Sequence, residues 1–258
     1  MHLPKVTLAC AAMLMLAACA NENEGVSSAP VEVPANGLAP LTGASFGNGS
    51  ETLIVLMHGD VSGGGPAKYM HPFALQVSQR YPQSKVVSLL RPGYSDGSLT
   101  SPGNNYNRRD QYTAENNRLV AETIANLKAA NPDAKTIVMG HSGGAAQLGA
   151  VIGQRAGLVD GAILLSCPCD VKRWRAPHRP FPRSQSPIDF ATSTSPATQV
   201  IAITGAKDDN TYSALASSYV DVLQSAGVNA KFIEVPNAGH NRLSELGGAV
   251  MQAIGELI

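Results

Sequence analysis

The chain has 258 residues, with 19 basic and 19 acidic side chains and therefore a formal net charge of zero. This balance gives no support for nucleic-acid binding, which a strongly basic surface would favour. The length suits one α/β domain with a sizeable core, and a hydrophobic fraction of 44% argues against a disordered chain.

The N-terminus has the pattern of a targeting segment rather than of a folded element. Lys5 provides a short positive region, residues 6–16 are apolar, and the sequence LAAC that ends at Cys19 resembles the cleavage site of a bacterial lipoprotein. The apolar stretch is shorter than the roughly 20 residues that a membrane-spanning helix needs. We therefore expect a lipoprotein signal peptide over residues 1–18 and a lipid on Cys19. The alternative is an ordinary secretory signal with an incidental cysteine.

Residues 19–40 are predicted to form a flexible tether between this anchor and a domain over residues 41–258. The segment is polar, contains proline and carries too little apolar surface to fold. Ala20 rather than aspartate follows the lipid-bearing cysteine, and the resemblance to Gram-negative lipoproteins then implies the outer membrane, facing the periplasm. The membrane is thus an expected partner, contacted through the lipid anchor.

Apolar runs and helical patterns alternate from residue 41 to the C-terminus. The run Thr52–Met57 is apolar almost throughout, as expected of a strand buried on both faces of a parallel sheet. A short edge hairpin is predicted over Leu41–Gly49, and further strands at Lys85–Leu90, Thr136–Met139, Gly161–Ser166, Gln199–Thr204 and Lys231–Val235. Helices are predicted in the segment that ends at Arg80, over Thr113–Ala130, from Ser142 to about Arg155, over Tyr212–Gln224 and from Leu243 onward. This alternation predicts an α/β fold with a doubly wound, mostly parallel sheet.

Residues 167–197 interrupt the alternation and are predicted to form a small cap over the sheet. The segment contains six prolines and the single tryptophan, Trp174. Its five basic residues are Lys172, Arg173, Arg175, Arg179 and Arg183. Their charge either favours an acidic or phosphate-bearing substrate or belongs to a solvated loop.

Cys167 and Cys169 lie at the start of this segment. In an oxidising compartment they can form a disulfide, although a bridge between residues i and i+2 strains the usual geometry. Free thiols therefore remain the alternative. No metal site is predicted, because no second pair of ligands stands at zinc spacing.

A candidate nucleophile, Ser142, stands between a predicted strand and a predicted helix in the sequence GHSGG. The pattern G-x-S-x-G also occurs around Ser45 and Ser95, but only the copy at Ser142 has a strand before it and a helix after it. A serine on such a turn has an exposed hydroxyl, and the N–H of Gly143 at the helix start stabilises a developing negative charge. The pattern resembles the nucleophile elbow of an α/β-hydrolase.

A serine hydroxyl becomes nucleophilic when an adjacent base takes its proton, and a carboxylate orients that base. In this architecture the acid and then the histidine follow the nucleophile, at the carboxyl ends of later strands. His240 follows the last predicted strand, and Asp208 stands at the third position after Gly205, the residue that follows the predicted strand Gln199–Thr204. Asp208 is the predicted acid. Asp170 is the alternative, after the preceding strand, and Asp209 is interpreted as a turn or capping residue.

An oxyanion hole needs two backbone N–H groups aimed at the position where the carbonyl oxygen becomes negative. Gly143 is predicted to provide one of them. The loop that begins with His58 and Gly59, after the first central strand, is predicted to provide the other. The donor is the N–H of Asp60, or that of Val61 if the turn is shifted.

Four motifs, HG, GHSGG, GAKDD and GH, occur in the order and spacing found in α/β-hydrolases. From Thr52 to Ile258 the chain resembles this superfamily, which implies a serine hydrolase that cleaves carboxylic esters through an acyl-enzyme and uses no cofactor. The sequence TGAKDDNT is also similar to the catalytic domain of prolyl-oligopeptidase-type peptidases, which implies a peptidase or amidase on the same triad. The lack of a propeller domain favours the esterase.

The expected partner is therefore a small-molecule ester, or a peptide under the second hypothesis. A third hypothesis is a binding lipoprotein that keeps the fold without turnover, against which an intact triad argues.

Overall fold

A seven-stranded sheet runs through the part of the chain described by the structure, a computed structural model that covers residues 40–241 and 243–258. The strands lie in the order β1-β3-β2-β4-β5-β6-β7. They are β1 Gly43–Phe46, β2 Thr52–Met57, β3 Ser84–Leu89, β4 Lys135–His141, β5 Gly161–Leu165, β6 Gln199–Gly205 and β7 Ala230–Val235. The six strands β2 to β7 are parallel to one another, and β1 is antiparallel to β3.

The predicted hairpin over Leu41–Gly49 is wrong. The segment forms one strand, β1, and it pairs with β3, with Gly43 opposite Leu89. The outer edge of β3 offers unpaired backbone groups and β1 satisfies them, so the segment caps an edge of the sheet instead of folding back on itself.

Helices cover both faces of the sheet, as the alternation of patterns predicts. They are α1 His71–Arg80, α2 Ala114–Ala129, α3 Gly143–Gln154, α4 Val171–Arg175, α5 Ser213–Ser225 and α6 Leu243–Leu257. Alternate residues of the central strands point to opposite faces. Val55 belongs to the core that α2, α3 and α5 cover, whereas its neighbour Leu56 belongs to the core under α1 and α6. The predicted doubly wound α/β-hydrolase fold is confirmed.

The cap, residues 167–197, divides into two parts with different surroundings. The first part contains α4 and stays near the carboxyl ends of the strands. The second contains a 3₁₀ helix over Pro187–Ser193 that packs against α3. The contact is close because α3 has glycine there: a Cβ on Gly149 would press on Pro187, and one on Gly153 would press on Phe190. Only the first part of the cap therefore borders the site described below.

A carboxylate ties the cap to the loop before α2. Asp110 accepts hydrogen bonds from the backbone N–H groups of Arg183 at 3.1 Å and Ser184 at 2.9 Å, and it forms an ion pair with the Arg183 guanidinium at 3.2 Å. The two segments are more than 70 residues apart in sequence, and this contact makes them one wall.

Cys167 and Cys169 form a disulfide directly after β5, with their Cα atoms 5.0 Å apart. Both residues are completely buried. Of the two alternatives that the sequence leaves open, the structure has the bridge.

The predicted signal peptide, Cys19 and all of the tether except Pro40 lie outside the described residues. No described helix is long and apolar enough to cross a membrane.

Candidate active site

Ser142 occupies a sharp turn between β4 and α3. Its backbone has φ 54° and ψ −117°, a conformation that non-glycine residues rarely adopt and that clusters at functional sites. The neighbouring glycines allow this turn, because a Cβ on Gly140 would lie 2.5 Å from the Ala145 nitrogen and one on Gly144 would lie 2.6 Å from the His58 carbonyl oxygen. The strand and the helix can therefore meet at Ser142 only with glycine on both sides.

The two other copies of the G-x-S-x-G pattern have different environments. Ser45 lies within the edge strand β1, and Ser95 lies in a loop where it forms an isolated bridge with Thr100. Neither serine begins a helix, so the local geometry distinguishes Ser142 from both.

Three side chains that are distant in sequence meet at the carboxyl ends of β4, β6 and β7. The Nε2 atom of His240 lies 3.0 Å from the Oγ atom of Ser142. On the other side of the ring, Nδ1 lies 2.9 Å from Oδ2 and 3.1 Å from Oδ1 of Asp208. The order hydroxyl, imidazole, carboxylate is the arrangement in which a histidine can accept the serine proton and a carboxylate can orient the histidine.

The Asp208 carboxylate is held by the turn that follows β6. Oδ1 accepts hydrogen bonds from the backbone N–H groups of Thr211 at 2.7 Å and Asn210 at 3.1 Å, and the Thr211 hydroxyl lies 2.9 Å from Oδ2. Burial favours the neutral acid, but the hydrogen bond and charge of His240 and the Thr211 N–H outweigh it and lower the pKa of Asp208. The carboxylate is therefore ionised at neutral pH.

The alternative acids lie elsewhere. Asp170 is the N-cap of α4, where its Oδ1 accepts a hydrogen bond from the Arg173 N–H at 3.0 Å. Asp209 is exposed. Of the three aspartates considered, the structure brings only Asp208 to His240.

The two predicted oxyanion donors border Ser142. Gly143 is the first residue of α3, where the backbone N–H has no partner within the helix. Asp60 lies in the loop after β2. Its carboxylate is so close to Gly143 that a side chain on Gly143 would collide with it. The next residue, Val61, has a φ of 44°, which is a strained value for a β-branched side chain.

The Asp60 carboxylate has a role that sequence reasoning missed. It forms an ion pair with Arg91, at 2.7 Å from Nη1, and accepts hydrogen bonds from the Tyr112 hydroxyl at 2.7 Å and the Gln111 amide at 3.1 Å. The Arg91 side chain is completely buried, and its Nε donates to Gln147 on α3 at 2.6 Å. No local pattern marks Arg91, because an arginine after a strand is usually on the surface.

Tyr69 and His141 connect the loops on either side of Ser142. The Nε2 of His141 lies 3.1 Å from the carbonyl oxygen of His240, which can only accept, so Nε2 carries the proton. Nδ1 then accepts from the Tyr69 hydroxyl at 2.7 Å, and the Tyr69 oxygen accepts from the Gly59 N–H at 2.5 Å. Burial, and next the nearby His240, lower the pKa of His141 to about 4, so this ring is neutral at pH 7.

His58 is neutral for a similar reason. Its Nε2 accepts from the Arg91 N–H at 3.0 Å, and Nδ1 donates to the Gly59 carbonyl at 2.7 Å. Burial, and next the charge of Arg91, lower its pKa to about 3.

An open cavity of about 1160 Å³ lies over Ser142 and His240. It is larger than the roughly 300–1,000 Å³ that is common for small-molecule sites. Its walls come from the loop after β2, the loop before α2 and the first part of the cap, with Val61, Tyr69, Asn107, Trp174 and Phe181 among the residues that line it. Within residues 40–241 and 243–258, no group of three or more histidine, cysteine or acidic side chains is arranged to hold a metal ion.

The structure resembles several solved hydrolases. The esterase Pf2001 of Pyrococcus furiosus superposes with a TM-score of 0.67 at 15% identity, covering 90% of this chain and 91% of that protein. Est1E of Butyrivibrio proteoclasticus, solved with ferulic acid bound, has a TM-score of 0.65 at 13% identity, covering 87% of this chain and 98% of that protein. A puromycin-hydrolyzing peptidase of Mycobacterium tuberculosis has a TM-score of 0.66 at 14% identity, covering 89% of this chain and 39% of that peptidase. At these identities the likeness concerns the fold alone.

Comparison at the level of sequence identifies the family. No curated protein sequence matches the chain significantly. The sequence profile of the alpha/beta hydrolase family matches residues 54–200, which is more than half of the chain and includes the turn at Ser142. The chain therefore belongs to the alpha/beta hydrolase family.

Proposed function

We propose that this alpha/beta hydrolase is a serine hydrolase that cleaves carboxylic esters, with Ser142 as nucleophile, His240 as base and Asp208 as the orienting acid. The observation that carries the proposal is the continuous contact from the Ser142 hydroxyl through His240 to Asp208, with distances of 3.0 and 2.9 Å. The strained backbone of Ser142 and its position beside an open cavity support the same role.

In the first half of the reaction, the Ser142 oxygen attacks the ester carbonyl while His240 Nε2 takes the hydroxyl proton. The ring becomes a cation, which the ionised Asp208 at Nδ1 stabilises. The N–H groups of Gly143 and Asp60 stabilise the negative oxygen of the tetrahedral intermediate. When the intermediate collapses, His240 returns the proton to the leaving alcohol and an acyl-serine remains.

In the second half, a water molecule attacks the acyl-serine and the same groups act in reverse. His240 removes a proton from the water, and the oxyanion again faces Gly143 and Asp60. Collapse releases the carboxylic acid and restores the Ser142 hydroxyl.

A fluorophosphonate probe tests the proposal, because it reacts with an activated serine. The protein without residues 1–19 is expected to be labelled, and Ser142→Ala is expected not to be. Ser95→Ala is the matched control, since Ser95 stands in the same sequence pattern without the strand–turn–helix context, and labelling is expected to persist. Labelling that survives Ser142→Ala, or no labelling of a folded wild-type protein, would contradict the proposal and leave a binding protein of the same fold.

A peptidase or amidase on the same three residues is the second candidate. The similarity of TGAKDDNT to prolyl-oligopeptidase-type domains and the fold shared with the mycobacterial peptidase favour it. A panel of acyl 4-nitrophenyl esters and peptide 4-nitroanilides separates the two. Turnover of esters with slow or absent amide cleavage supports the esterase, and efficient peptide cleavage supports the peptidase.

We also propose that Cys19 carries a lipid that anchors the enzyme to the outer membrane, on the periplasmic side. The proposal rests on the apolar segment and the LAAC sequence that ends at Cys19. Metabolic labelling with a fatty-acid analogue in a Gram-negative host is expected to mark the wild-type protein and not Cys19→Ser. Secretion with no label on either protein would favour the ordinary secretory signal.

A further inference from the structure

The cavity over Ser142 carries a concentration of positive charge, although the whole chain is neutral. Four arginines line it, namely Arg108, Arg109, Arg175 and Arg179. Among the described residues of its walls the one carboxylate is Asp60, and Arg91 already neutralises that carboxylate at 2.7 Å. A cleft with one sign of charge and walls of low dielectric strengthens the field that a ligand meets.

Arg175 is held in place by two aromatic rings. Its guanidinium carbon lies 5.1 Å from the centre of the Trp174 ring and 4.5 Å from that of Phe181. Nε donates to the Arg179 carbonyl at 3.0 Å. The two terminal NH₂ groups have no partner within the described chain, so a pre-oriented fork remains for a ligand, and such a fork matches the two oxygens of a carboxylate or phosphate.

Arg108 binds the wall that the loop after β2 forms. Its two terminal nitrogens donate to the carbonyl groups of Val61 at 2.5 Å and Gly65 at 2.8 Å. These carbonyls are neutral, so they do not compensate the positive charge of Arg108. The two hydrogen bonds also fix the loop that carries Asp60 to the Arg108 side chain.

Arg109 and Arg179 complete the charge at the rim. Both are exposed, and neither side chain forms an ion pair or hydrogen bond within residues 40–241 and 243–258. Asp110, the neighbour of Arg109 in the chain, already pairs with Arg183 at 3.2 Å.

We propose that the natural substrate is an ester that bears a second, ionised oxygen group, a carboxylate or phosphate, which the cavity arginines bind with Arg175 at the centre. This inference rests on the proposed hydrolase function and adds the class of substrate. It also divides the five basic residues of the cap, because Arg175 and Arg179 line the cavity whereas Lys172, Arg173 and Arg183 do not.

Two matched pairs of esters test the charge preference. Mono-4-nitrophenyl glutarate and 4-nitrophenyl pentanoate differ by a carboxylate on the acyl side, and 4-acetoxybenzoate and its methyl ester differ by a carboxylate on the alcohol side. In at least one pair, kcat/KM is expected to be about tenfold higher for the anion at low salt, since hydrogen bonds to charged groups are the strong ones. The advantage is expected to shrink as ionic strength rises. Equal rates in both pairs would overturn the inference.

Variants then test which arginines cause the preference for anionic esters. In Arg175→Gln, and separately in Arg109→Gln combined with Arg179→Gln, the anion-to-neutral ratio of kcat/KM is expected to fall by about tenfold. The double variant changes only exposed side chains, so it remains informative if Arg175→Gln disturbs the cap. Arg173→Gln is the matched control, because Arg173 lies on the same helix but outside the cavity. A ratio that no cavity variant changes would refute the arginine site.

A binding measurement separates this inference from the proposed hydrolysis. Calorimetry with glutarate and with phenyl phosphate on Ser142→Ala needs no turnover, and the tighter ligand identifies the preferred anion. Binding that weakens in Ser142→Ala combined with Arg175→Gln supports the anion site even if no ester is hydrolysed, in which case only the proposed function fails. Hydrolysis of neutral esters without anion binding refutes only the inference made here.

Discussion

Two carboxylates stand on opposite sides of Ser142, one buried and one half-buried, and each lies in the loop that follows a strand of the parallel sheet. Asp208 comes after β6 and has a side chain that is 0% exposed, while Asp60 comes after β2 and is 13% exposed. Asp208 contacts a histidine, His240, at 2.9 Å, whereas Asp60 contacts an arginine, Arg91, at 2.7 Å. Their positions are similar, but the chemistry of their partners differs.

The difference in partner separates two tasks. An imidazole gains and loses a proton near neutral pH, so a carboxylate beside it can stabilise a charge that appears during a reaction. A guanidinium keeps its charge at every physiological pH, so the pair of Asp60 and Arg91 has the same charges before and after a reaction. We interpret Asp208 as part of the proposed proton-transfer chain, and the Asp60 side chain as the support of the loop that carries the proposed oxyanion donor, the Asp60 N–H.

The largest expected effect is on turnover in Asp208→Asn. The amide cannot stabilise the His240 cation, so kcat on an ester substrate is expected to fall by about 10⁴-fold, the order seen when a triad carboxylate is neutralised. Steady-state kinetics measures the change, with circular dichroism as the check on folding. Asp209→Asn, at the exposed neighbouring position, is expected to retain its rate. Full activity in Asp208→Asn would transfer the role to Asp170 or Asp209.

A smaller effect, on stability, is expected for Asp60→Asn. The substitution leaves Arg91 as a buried cation without its counter-charge, which costs about 3–5 kcal/mol in the free energy of unfolding. Denaturant titration measures this value. Asp189→Asn is the matched control, because its partner Lys172 is 76% exposed and such a surface pair contributes about 0–1 kcal/mol. Equal losses in the two variants would mean that the distinction between the two carboxylates is wrong.

The smallest effect, counted per pH unit, concerns the pH dependence of stability and comes from two buried histidines, His58 and His141. The pKa of His58 is lowered to about 3 and that of His141 to about 4, whereas in the unfolded chain both lie near 6.5. Between these values the unfolded chain binds more protons. The free energy of unfolding therefore falls as pH decreases below about 6.5, by up to about 1.4 kcal/mol per pH unit for each histidine.

Denaturant titrations between pH 4 and 7 measure this slope. His141→Asn is expected to make it shallower, because asparagine has no proton to gain in this range. His178→Asn, on an exposed residue of the cap, is expected to leave the slope unchanged. A slope that His141→Asn does not alter would remove this histidine from the explanation.

Much of the fold could be predicted because its signals are local. β2 occupies Thr52–Met57, as the apolar run predicts, and α2 begins after Thr113, whose side chain caps the helix at the Asn116 N–H. The contact between His240 and Ser142 could also be predicted, because each residue follows a strand in a recognisable turn motif. Parallel strands bring their carboxyl ends, and therefore these turns, to one edge of the sheet.

Other features could not be predicted because they depend on which distant segments touch. The edge segment at Gly43–Phe46 pairs with β3 rather than with itself, and nothing within the segment encodes that choice. The partner of the Asp60 carboxylate, Arg91, lies 31 residues away, in a loop that polarity alone would place on the surface. The spacing of Cys167 and Cys169 likewise does not decide between a disulfide and two free thiols, and the structure has the disulfide.

The sequence by itself determined the wound sheet, the turn at Ser142 and the succession of Asp208 and His240, since strand periodicity, glycine turns and their order act over a few residues. Only the tertiary structure decided which aspartate contacts the imidazole, which carboxylate is paired with a permanent cation, and which arginines face the cavity. Those choices depend on packing between segments tens of residues apart, where burial and hydrogen-bond geometry select one partner among many of equal polarity.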